Sequence, residues 1–145
     1  MKLSNEWFTA LSQNDNGQLI TVSGRDELTE FINTGKYKER VEITWRYESD
    51  KKGMPLEAIA TQIETIEATL RHAMEKDKLA IATAVYTGGG KKIWVFYTCN
   101  VRVFGERLNE ALASFETLPI TIYTEVDAGW EEYLDMYEMK KWAIE

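Results

Sequence analysis

From residue 41 to residue 126 the chain repeats one order of predicted elements, strand–helix–strand, and this repeat constrains the fold more than any other feature. The first strand, Val41 to Glu48, alternates apolar and polar residues, as a strand with one buried face does. The helix after it begins at Pro55, a residue suited to a first helical position, and ends near Lys76. Its apolar residues recur at spacings of three and four, which predicts one buried face.

The second half of the repeat starts with two strands, Leu79 to Thr87 and Lys91 to Cys99, joined by three glycines. A second amphipathic helix, Phe104 to Phe115, and a last strand, Leu118 to Val126, complete it. Two such split units form the ferredoxin-like fold, a βαββαβ antiparallel sheet with both helices on one face. The sequence therefore predicts an α+β protein with a ferredoxin-like core at residues 41–126.

The two ends of the chain add to this core. Residues 1–40 predict a β-hairpin with Asn16-Gly17 in its turn, then a short helix capped by Asp26 and ended by Gly35. Residues 127–145 predict a final helix. The hairpin could extend the sheet, and the helix could cover the sheet face that the core leaves open. Because no linker or repeat separates these parts, residues 1–145 are expected to form a single domain.

The charge and hydropathy of the chain narrow the expected partners and compartment. The 145 residues carry a formal charge of -7, so binding to DNA or RNA is not expected, since an acidic surface gains nothing from counterion release. No run approaches the ~18 apolar residues of a membrane span. The first residues lack the apolar run of a signal peptide, and the one cysteine, Cys99, allows no intramolecular disulfide. The cytoplasm is the expected location.

The sequence contains no constellation of catalytic residues. The one histidine, His72, falls near the end of the long helix, off its apolar stripe, and is expected at the surface. Cys99 is interpreted as a small buried hydrophobe, and Gly88-Gly89-Gly90 as a turn between strands, because a phosphate loop needs a helix next. No catalytic residue, metal site or cofactor is therefore predicted.

Four carboxylates near the final helix leave a hard-cation site as an alternative, although acids are also expected in the first turn of a helix for electrostatic reasons. They are Asp127, Glu131, Glu132 and Asp135.

Aromatic side chains are abundant on and beside the predicted sheet. Exposed aromatics stack RNA bases in sheets of this topology, but such sheets are usually surrounded by basic charge. Since this chain is acidic, core packing is the preferred interpretation.

Three segments, spread over roughly residues 5 to 137, resemble DUF695, a bacterial family of unknown function. They are Gly53-Met54-Pro55 at the entry of the long helix, Trp94-Val95-Phe96-Tyr97 in the central strand, and Asp127 through Trp130 to Tyr133 after the last strand. The family usually has Asp-Pro before that last Trp, whereas here Asp127 is followed by Ala128. The strand-to-helix turn is expected to be the same.

This resemblance implies no established activity. The family is similar in fold to the regulator of ribonuclease E activity B, an acidic bacterial protein that inhibits an RNA-degrading enzyme by binding it. The analogy favours a binding or regulatory role over catalysis, although a shared fold does not fix a function.

Two hypotheses follow. The first is a non-enzymatic protein-binding or regulatory domain, whose partner is another protein or a second copy in a homodimer. The second is a small-molecule binding domain or an unrecognised enzyme with a pocket between the sheet and the C-terminal segment. The candidate ligand- or partner-binding residues are Trp94, Tyr97, Asp127, Trp130 and Tyr133.

Overall fold

The computed structural model describes residues 2–115 and 119–144, and within them the protein is α+β, with a six-stranded antiparallel sheet and four α-helices. The strands are β1 (Trp7–Gln13), β2 (Leu19–Arg25), β3 (Glu39–Arg46), β4 (Ala80–Gly88), β5 (Lys91–Thr98) and β6 (Ile120–Val126). The helices are α1 (Thr29–Thr34), α2 (Glu57–Glu75), α3 (Val101–Leu112) and α4 (Glu131–Tyr137), and a 3-10 helix (Glu138–Trp142) follows α4.

The strands lie in the order β1-β2-β4-β5-β3-β6, and every neighbouring pair is antiparallel. The predicted α+β class is therefore confirmed. The N-terminal hairpin extends the sheet, because β2 pairs with β4. Leu118, the predicted start of the last strand, lies outside the described residues.

The helices α2 and α3 cover one face of the sheet. The alternation of β3 places Val41, Ile43 and Trp45 on this face, and all three are buried. The three- and four-residue spacing of α2 directs its apolar stripe onto the same face. This core consists mainly of Val41, Ile43, Trp45, Ile63, Ile66, Leu70, Met74, Trp94, Phe96, Phe104 and Leu108.

The opposite face is covered as well, by α1 and α4. Phe31 of α1 and Met136 of α4 pack with Val95 and Tyr97 of the central strand β5. The C-terminal helix thus lies over the sheet face that the ferredoxin-like pattern alone would leave open.

A β-bulge in β4 moves side chains from one face to the other. Ala82 packs in the α2 face, but Ala84 packs in the α4 face, because the register with β5 shifts between them. Arg25 and Glu75 satisfy the backbone of the bulge. Arg25 Nη1 donates to the Ala82 carbonyl at 3.1 Å, the Ala82 N–H donates to Glu75 Oε2 at 2.8 Å, and Arg25 and Glu75 are paired at 2.6 Å.

Two predicted helix starts were wrong because competing hydrogen bonds form there, a local one near Pro55 and distant ones at Asp26. Pro55 is not helical: the Asp50 side chain accepts from Met54 N–H at 3.0 Å, and Pro55 forms a β-bridge with Ser49. The carboxylate of Asp26 does not cap α1, since it accepts hydrogen bonds from Tyr137 and Lys140 of the C-terminal segment.

The Gly53 turn packs against the glycine turn between β4 and β5. The Gly90 N–H and the Tyr47 hydroxyl donate to the Gly53 carbonyl at 2.9 and 2.8 Å. Gly53 has a φ of 87°, and a Cβ there would lie 2.8 Å from the Gly89 nitrogen. The turn therefore needs glycine at this position.

Candidate functional site

The structure separates the five predicted site residues onto two faces of the sheet. Trp94 and Tyr97 both lie in β5, three residues apart, so their side chains point to opposite faces. Trp94 packs under α2, where its Nε1 donates to Glu67 Oε1 at 2.8 Å. Trp94 therefore shares no pocket with Asp127 and Trp130.

The other four residues do come together, beneath α4, and are called here the aromatic cluster: Tyr97, Asp127, Trp130 and Tyr133. The rings of Trp130 and Tyr97 stack with centroids 4.2 Å apart and an angle of 20° between planes. Tyr133 meets Trp130 edge to face at 5.4 Å. All three rings are buried, so the cluster fixes α4 onto the sheet.

The N–H and O–H groups of the three aromatic side chains are all satisfied. Trp130 Nε1 donates to the Tyr37 carbonyl at 2.8 Å, and the Tyr133 hydroxyl donates to the Arg25 carbonyl. The Tyr97 hydroxyl donates to Asp127 Oδ2 at 2.6 Å and accepts from Tyr133 N–H at 3.2 Å.

Asp127 joins the end of β6 to the start of α4. Its carboxylate accepts the backbone N–H groups of Glu131 and Glu132 at 2.9 and 3.0 Å, as well as the Tyr97 hydroxyl. Burial alone would raise the pKa of Asp127, but the hydrogen bonds from Tyr97, Glu132 and Glu131 outweigh it and lower the pKa.

The protonation states of the cluster are fixed at neutral pH. Burial, reinforced by the hydrogen bond to Asp127, raises the pKa of Tyr97 far above its usual value of 10, and burial also raises that of Tyr133. Asp127 is displaced in the opposite direction. No member of the cluster therefore titrates near pH 7, where a general acid or base would need to do so.

The outer edge of β6 is the second feature of interest. Among residues 2–115 and 119–144, no strand pairs with this edge. The strand keeps an unbroken register with β3 over its whole length, from Ile120 opposite Trp45 to Val126 opposite Glu39. Three of its side chains are apolar and exposed: Ile122 (48%), Tyr123 (55%) and Val126 (76%).

The other edge strand of the sheet, β1, is partly covered by the chain. The C-terminal segment lies along β1, and the Ile144 N–H donates to the Thr9 carbonyl at 2.8 Å. One edge strand is thus covered at that point by the chain itself, while no described strand pairs with the outer side of β6.

A third feature, which sequence reasoning missed, is a cleft beside α2 with a volume of about 260 Å³. It is called here the α2 cleft, and it is lined by Asn5, Trp7, Ser23, Glu67, Arg71, Val85, Thr87 and Lys92. The four-residue spacing of Glu67 and Arg71 places them on one side of α2, but nothing in the sequence shows that Trp7 and Lys92 lie beside them.

The remaining candidates are set apart from these features. His72 is exposed on α2, as predicted. Cys99 is exposed in the loop after β5, so its interpretation as a buried hydrophobe was wrong: β5 ends at Thr98, one residue earlier. Gly88-Gly89-Gly90 forms the turn between β4 and β5, with positive φ at all three residues.

Two general findings concern the described part of the chain. It contains no group of three or more His, Cys, Asp or Glu residues placed to hold a metal ion. None of its helices has both the length and the apolar character needed to cross a bilayer.

The model of DUF695, which is described as a family of unknown function, matches residues 5–137 of the chain. Comparison with curated proteins and with solved structures finds no match.

The first prediction concerns the charge of Asp127. Asp127→Asn should lower the free energy of unfolding near pH 7 by about 2 kcal/mol, the order of a hydrogen bond to a charged group. Because the folded pKa lies below the ordinary 3.8, the carboxylate stabilises the fold above about pH 4 and ceases to do so as pH falls through the folded pKa. Urea unfolding at several pH values measures both effects.

The difference in the free energy of unfolding between wild type and Asp127→Asn should therefore become smaller at acid pH. Asp135→Asn, an exposed substitution on the same helix, is the control and should change stability little at any pH. A difference that stayed constant down to about pH 2 would contradict the assigned role of the Asp127 charge.

The second prediction concerns the turn from Asp127 to Trp130, closed by Trp130 N–H donating to the Asp127 carbonyl at 3.0 Å. Ala128 occupies its second position, which favours proline in common turns, and within the described residues its N–H donates to no protein acceptor. Ala128→Pro should raise the free energy of unfolding by roughly 0.4–1 kcal/mol by restricting the unfolded chain. Ala128→Gly should lower the free energy of unfolding. Thermal unfolding of the wild type and the two variants measures the order of stability, and any order other than Pro above Ala above Gly would contradict this prediction.

Proposed function

We propose that this chain, which belongs to DUF695, a family of unknown function, is a non-enzymatic protein-binding domain. It pairs with a second copy of itself through the outer edge of β6. The observation that carries the proposal is that this regular seven-residue edge has no partner strand among the described residues. Natural edge strands are usually protected by lysines, bulges or a covering segment. Strand β6 contains no lysine and no bulge.

The direction of the backbone groups along β6 supports a specific register. The Asp127 N–H donates inward, to the Lys38 carbonyl at 2.7 Å, and backbone groups alternate sides along a strand. The N–H and C=O groups of Ile120, Ile122, Thr124 and Val126 therefore point outward. These four residues supply the donors and acceptors for an antiparallel partner strand.

A two-fold axis through Tyr123 would pair all of these outward N–H and C=O groups with those of the second copy. Ile122 of one copy then lies opposite Thr124 of the other, and Ile120 lies opposite Val126. These side chains share the face of α2 and α3, whereas Tyr123 meets its own counterpart on the face of α4. Apolar and aromatic cross-strand pairs of this kind each stabilise a sheet by about 0.2–1 kcal/mol.

The charges along β6 are compatible with this pairing. The strand carries one charged residue, Glu125, which lies 3.6 Å from Arg40 of the neighbouring β3 and accepts the Tyr123 hydroxyl at 2.8 Å. In the proposed register Glu125 lies opposite Thr121 of the second copy. No like charges are placed opposite each other, a juxtaposition that would destabilise the pair.

The size of the edge sets the expected affinity. Two seven-residue strands bury less than the roughly 1,600 Å² of a standard interface. We therefore expect a dimer that forms and dissociates with concentration. A self-associating domain of this kind suits a regulatory role.

Two further attributes belong to the proposal. We infer that the core is ferredoxin-like: the order β4-β5-β3-β6 is the order of two split strand–helix–strand units, with the hairpin added beside β4. We also infer a cytoplasmic location, because an exposed free thiol at Cys99 suits a reducing compartment.

The third prediction compares the two edges of the sheet. Ile122→Lys places a charge in the proposed interface and should abolish the dimer while the fold persists, since Ile122 is half exposed. Leu11→Lys makes the same change at a side chain of similar exposure (46%) on β1 and should leave the dimer intact. In sedimentation velocity across a concentration series, the mass of wild type and of Leu11→Lys should rise above 16.7 kDa, whereas that of Ile122→Lys should not.

A wild-type mass that stays at 16.7 kDa throughout the series would overturn the self-association. Equal loss of the dimer in both variants would place the interface elsewhere.

The fourth prediction tests the backbone register directly. Thr124→Pro removes an outward N–H without removing a bond to β3, and proline is tolerated on the solvent side of an edge strand. It should weaken self-association by at least about tenfold, the loss expected when a ladder bond is removed and the ring blocks the partner strand. Tyr123→Pro, one residue earlier, removes an inward N–H and should instead destabilise the fold. Circular dichroism and sedimentation together separate the two effects, and a fully dimeric Thr124→Pro would contradict the register.

A further inference from the structure

The α2 cleft lies where the helical layer ends and the sheet continues. Strand β1 contributes Trp7 to it, β2 contributes Ser23, and β4 contributes Val85 and Thr87. Helix α2 packs on β4, so its flank forms the other wall, with Glu67 and Arg71. The cleft is therefore built on regular elements at every side except Asn5.

Two cations in the cleft have no hydrogen-bonded anion among the described residues. Arg71 Nη2 lies 3.7 Å from Glu75 Oε1, and Lys92 Nζ lies 3.9 Å from Glu67 Oε1. Both distances exceed those of charge-assisted hydrogen bonds, about 2.7–2.9 Å. By contrast, Arg25 meets Glu75 at 2.6 Å.

One oxygen of each of these two carboxylates, Glu75 and Glu67, is already hydrogen-bonded to another donor. Glu75 Oε2 accepts from Arg25 and from the Ala82 N–H at the β-bulge. Glu67 Oε1 accepts from Trp94 Nε1 at 2.8 Å. Glu64 also acts electrostatically on Lys92 but is exposed on α2, where solvent screens it. The positive charge of Arg71 and Lys92 is therefore only loosely compensated.

Two buried hydrogen-bond donors in the cleft also lack a partner in the described part of the chain. They are Trp7 Nε1 and Arg71 Nε, both buried and without a hydrogen-bond partner among residues 2–115 and 119–144. Ser23 and Thr87, which carry hydroxyl groups, also line the cleft. A buried donor without an acceptor costs about 1–3 kcal/mol, so the wall of the cleft contains polar groups that the described residues leave unsatisfied.

The guanidinium groups of Arg25 and Arg71 hold the indole of Trp7 in place. They lie 5.2 and 5.0 Å from the centroid of its ring, within the range of a cation–π interaction. Trp7 in turn limits where the Arg71 side chain can lie. Arg71 is thereby positioned beside the cleft before any ligand arrives, which reduces the entropy lost on binding.

Lys92 shows the electrostatic consequence of this arrangement. Burial lowers the pKa of Lys92, and Glu67 and Glu64 offset that effect only in part. An anion in the cleft would stabilise the charged ammonium.

We infer that the α2 cleft binds the carboxylate or phosphate group of a small polar metabolite, with Arg71 and Lys92 as its charge partners. Ser23 and Thr87 would hydrogen-bond the rest of the molecule. A volume of about 260 Å³ is below the roughly 300–1,000 Å³ of drug-sized sites and therefore suits a small metabolite. This site is independent of the β6 edge and does not rest on self-association.

A larger depression of about 820 Å³ lies between the N-terminal segment and α1. The α2 cleft is the better site because the charged residues around the larger depression, among them Lys2, Glu27 and Glu30, are exposed to solvent. Charge–charge interactions there are screened by solvent, whereas those in the partly buried cleft are screened much less.

The fifth prediction uses the indole N–H signal of Trp7, assigned in ¹⁵N NMR spectra by comparison with Trp7→Phe. Inorganic phosphate and succinate are titrated separately into the full chain, with sodium chloride at matched ionic strength as the reference. A saturable shift of the Trp7 signal is expected with phosphate, with succinate or with both, and the responding anion identifies the source of the oxyanion. The absence of a saturable shift with either, or an equal shift with chloride, would overturn the inference.

Variants assign the binding to the two cations. Arg71→Gln and Lys92→Gln should each weaken binding by roughly tenfold or more, the loss expected for a hydrogen bond to a charged group. Arg102→Gln, at a highly exposed arginine of α3, is the matched control and should bind as wild type does. Amide spectra establish that each variant is folded, and two cleft variants ensure that one remains informative if the other unfolds. Wild-type affinity in a folded cleft variant would also overturn the inference.

Discussion

The width of the sheet is the constraint from which both proposed surfaces follow. Strands lie about 4.8 Å apart, so six of them span roughly 25 Å from first to last, whereas two packed helices cover about 20 Å. On the face of α2 and α3, the sheet is therefore wider than the layer above it. The uncovered strip at one end is the floor of the α2 cleft, on β1 and β2. At the other end, the exposed side chains of Ile122 and Val126 lie beside the edge of β6, with which no described strand pairs.

On the opposite face, the position of α4 depends on one residue in an unfavourable backbone conformation. Trp130 has a φ of 56°, and such a conformation costs a non-glycine residue about 1–3 kcal/mol. Stacking on Tyr97, the hydrogen bond from its indole to the Tyr37 carbonyl and nearly complete burial together offset that cost. The aromatic cluster therefore has a structural explanation that requires no ligand. The tryptophan and tyrosine in the third family segment lie where α4 is attached to the sheet.

Patterns confined to one element predicted the structure well. The alternation in β3 and the three- and four-residue spacing in α2 each reflect burial of one face, which the sequence records directly. The predicted cap of α1 failed because it depended on distant partners: Asp26 binds Tyr137 and Lys140, more than a hundred residues away in the chain. The separation of Trp94 from Tyr97 was predictable, since residues three apart in a strand face opposite sides.

The candidate surfaces were harder to predict because each depends on where a strand lies in the sheet. Strand β6 alternates Ile120, Ile122 and Val126 with polar residues, and the same alternation would describe a strand with a buried face. Only its position as an edge strand exposes Ile122. The α2 cleft likewise requires Trp7 and Lys92, which are 85 positions apart in the numbering, to meet Arg71 of α2.

The positions of the two surfaces also determine whether they can influence each other. The cleft involves β1, β2, β4 and, through Lys92, β5, whereas the proposed dimer forms at β6, with β3 between them. The hydrogen-bonded ladders from β5 to β6 keep a continuous register, and the bulge in β4, the irregularity found among the described strands, is fixed by Arg25 and Glu75. Coupling between distant sites needs an element with two alternative arrangements. The intervening sheet offers no such element, so occupancy of the cleft and pairing at β6 are expected to be independent.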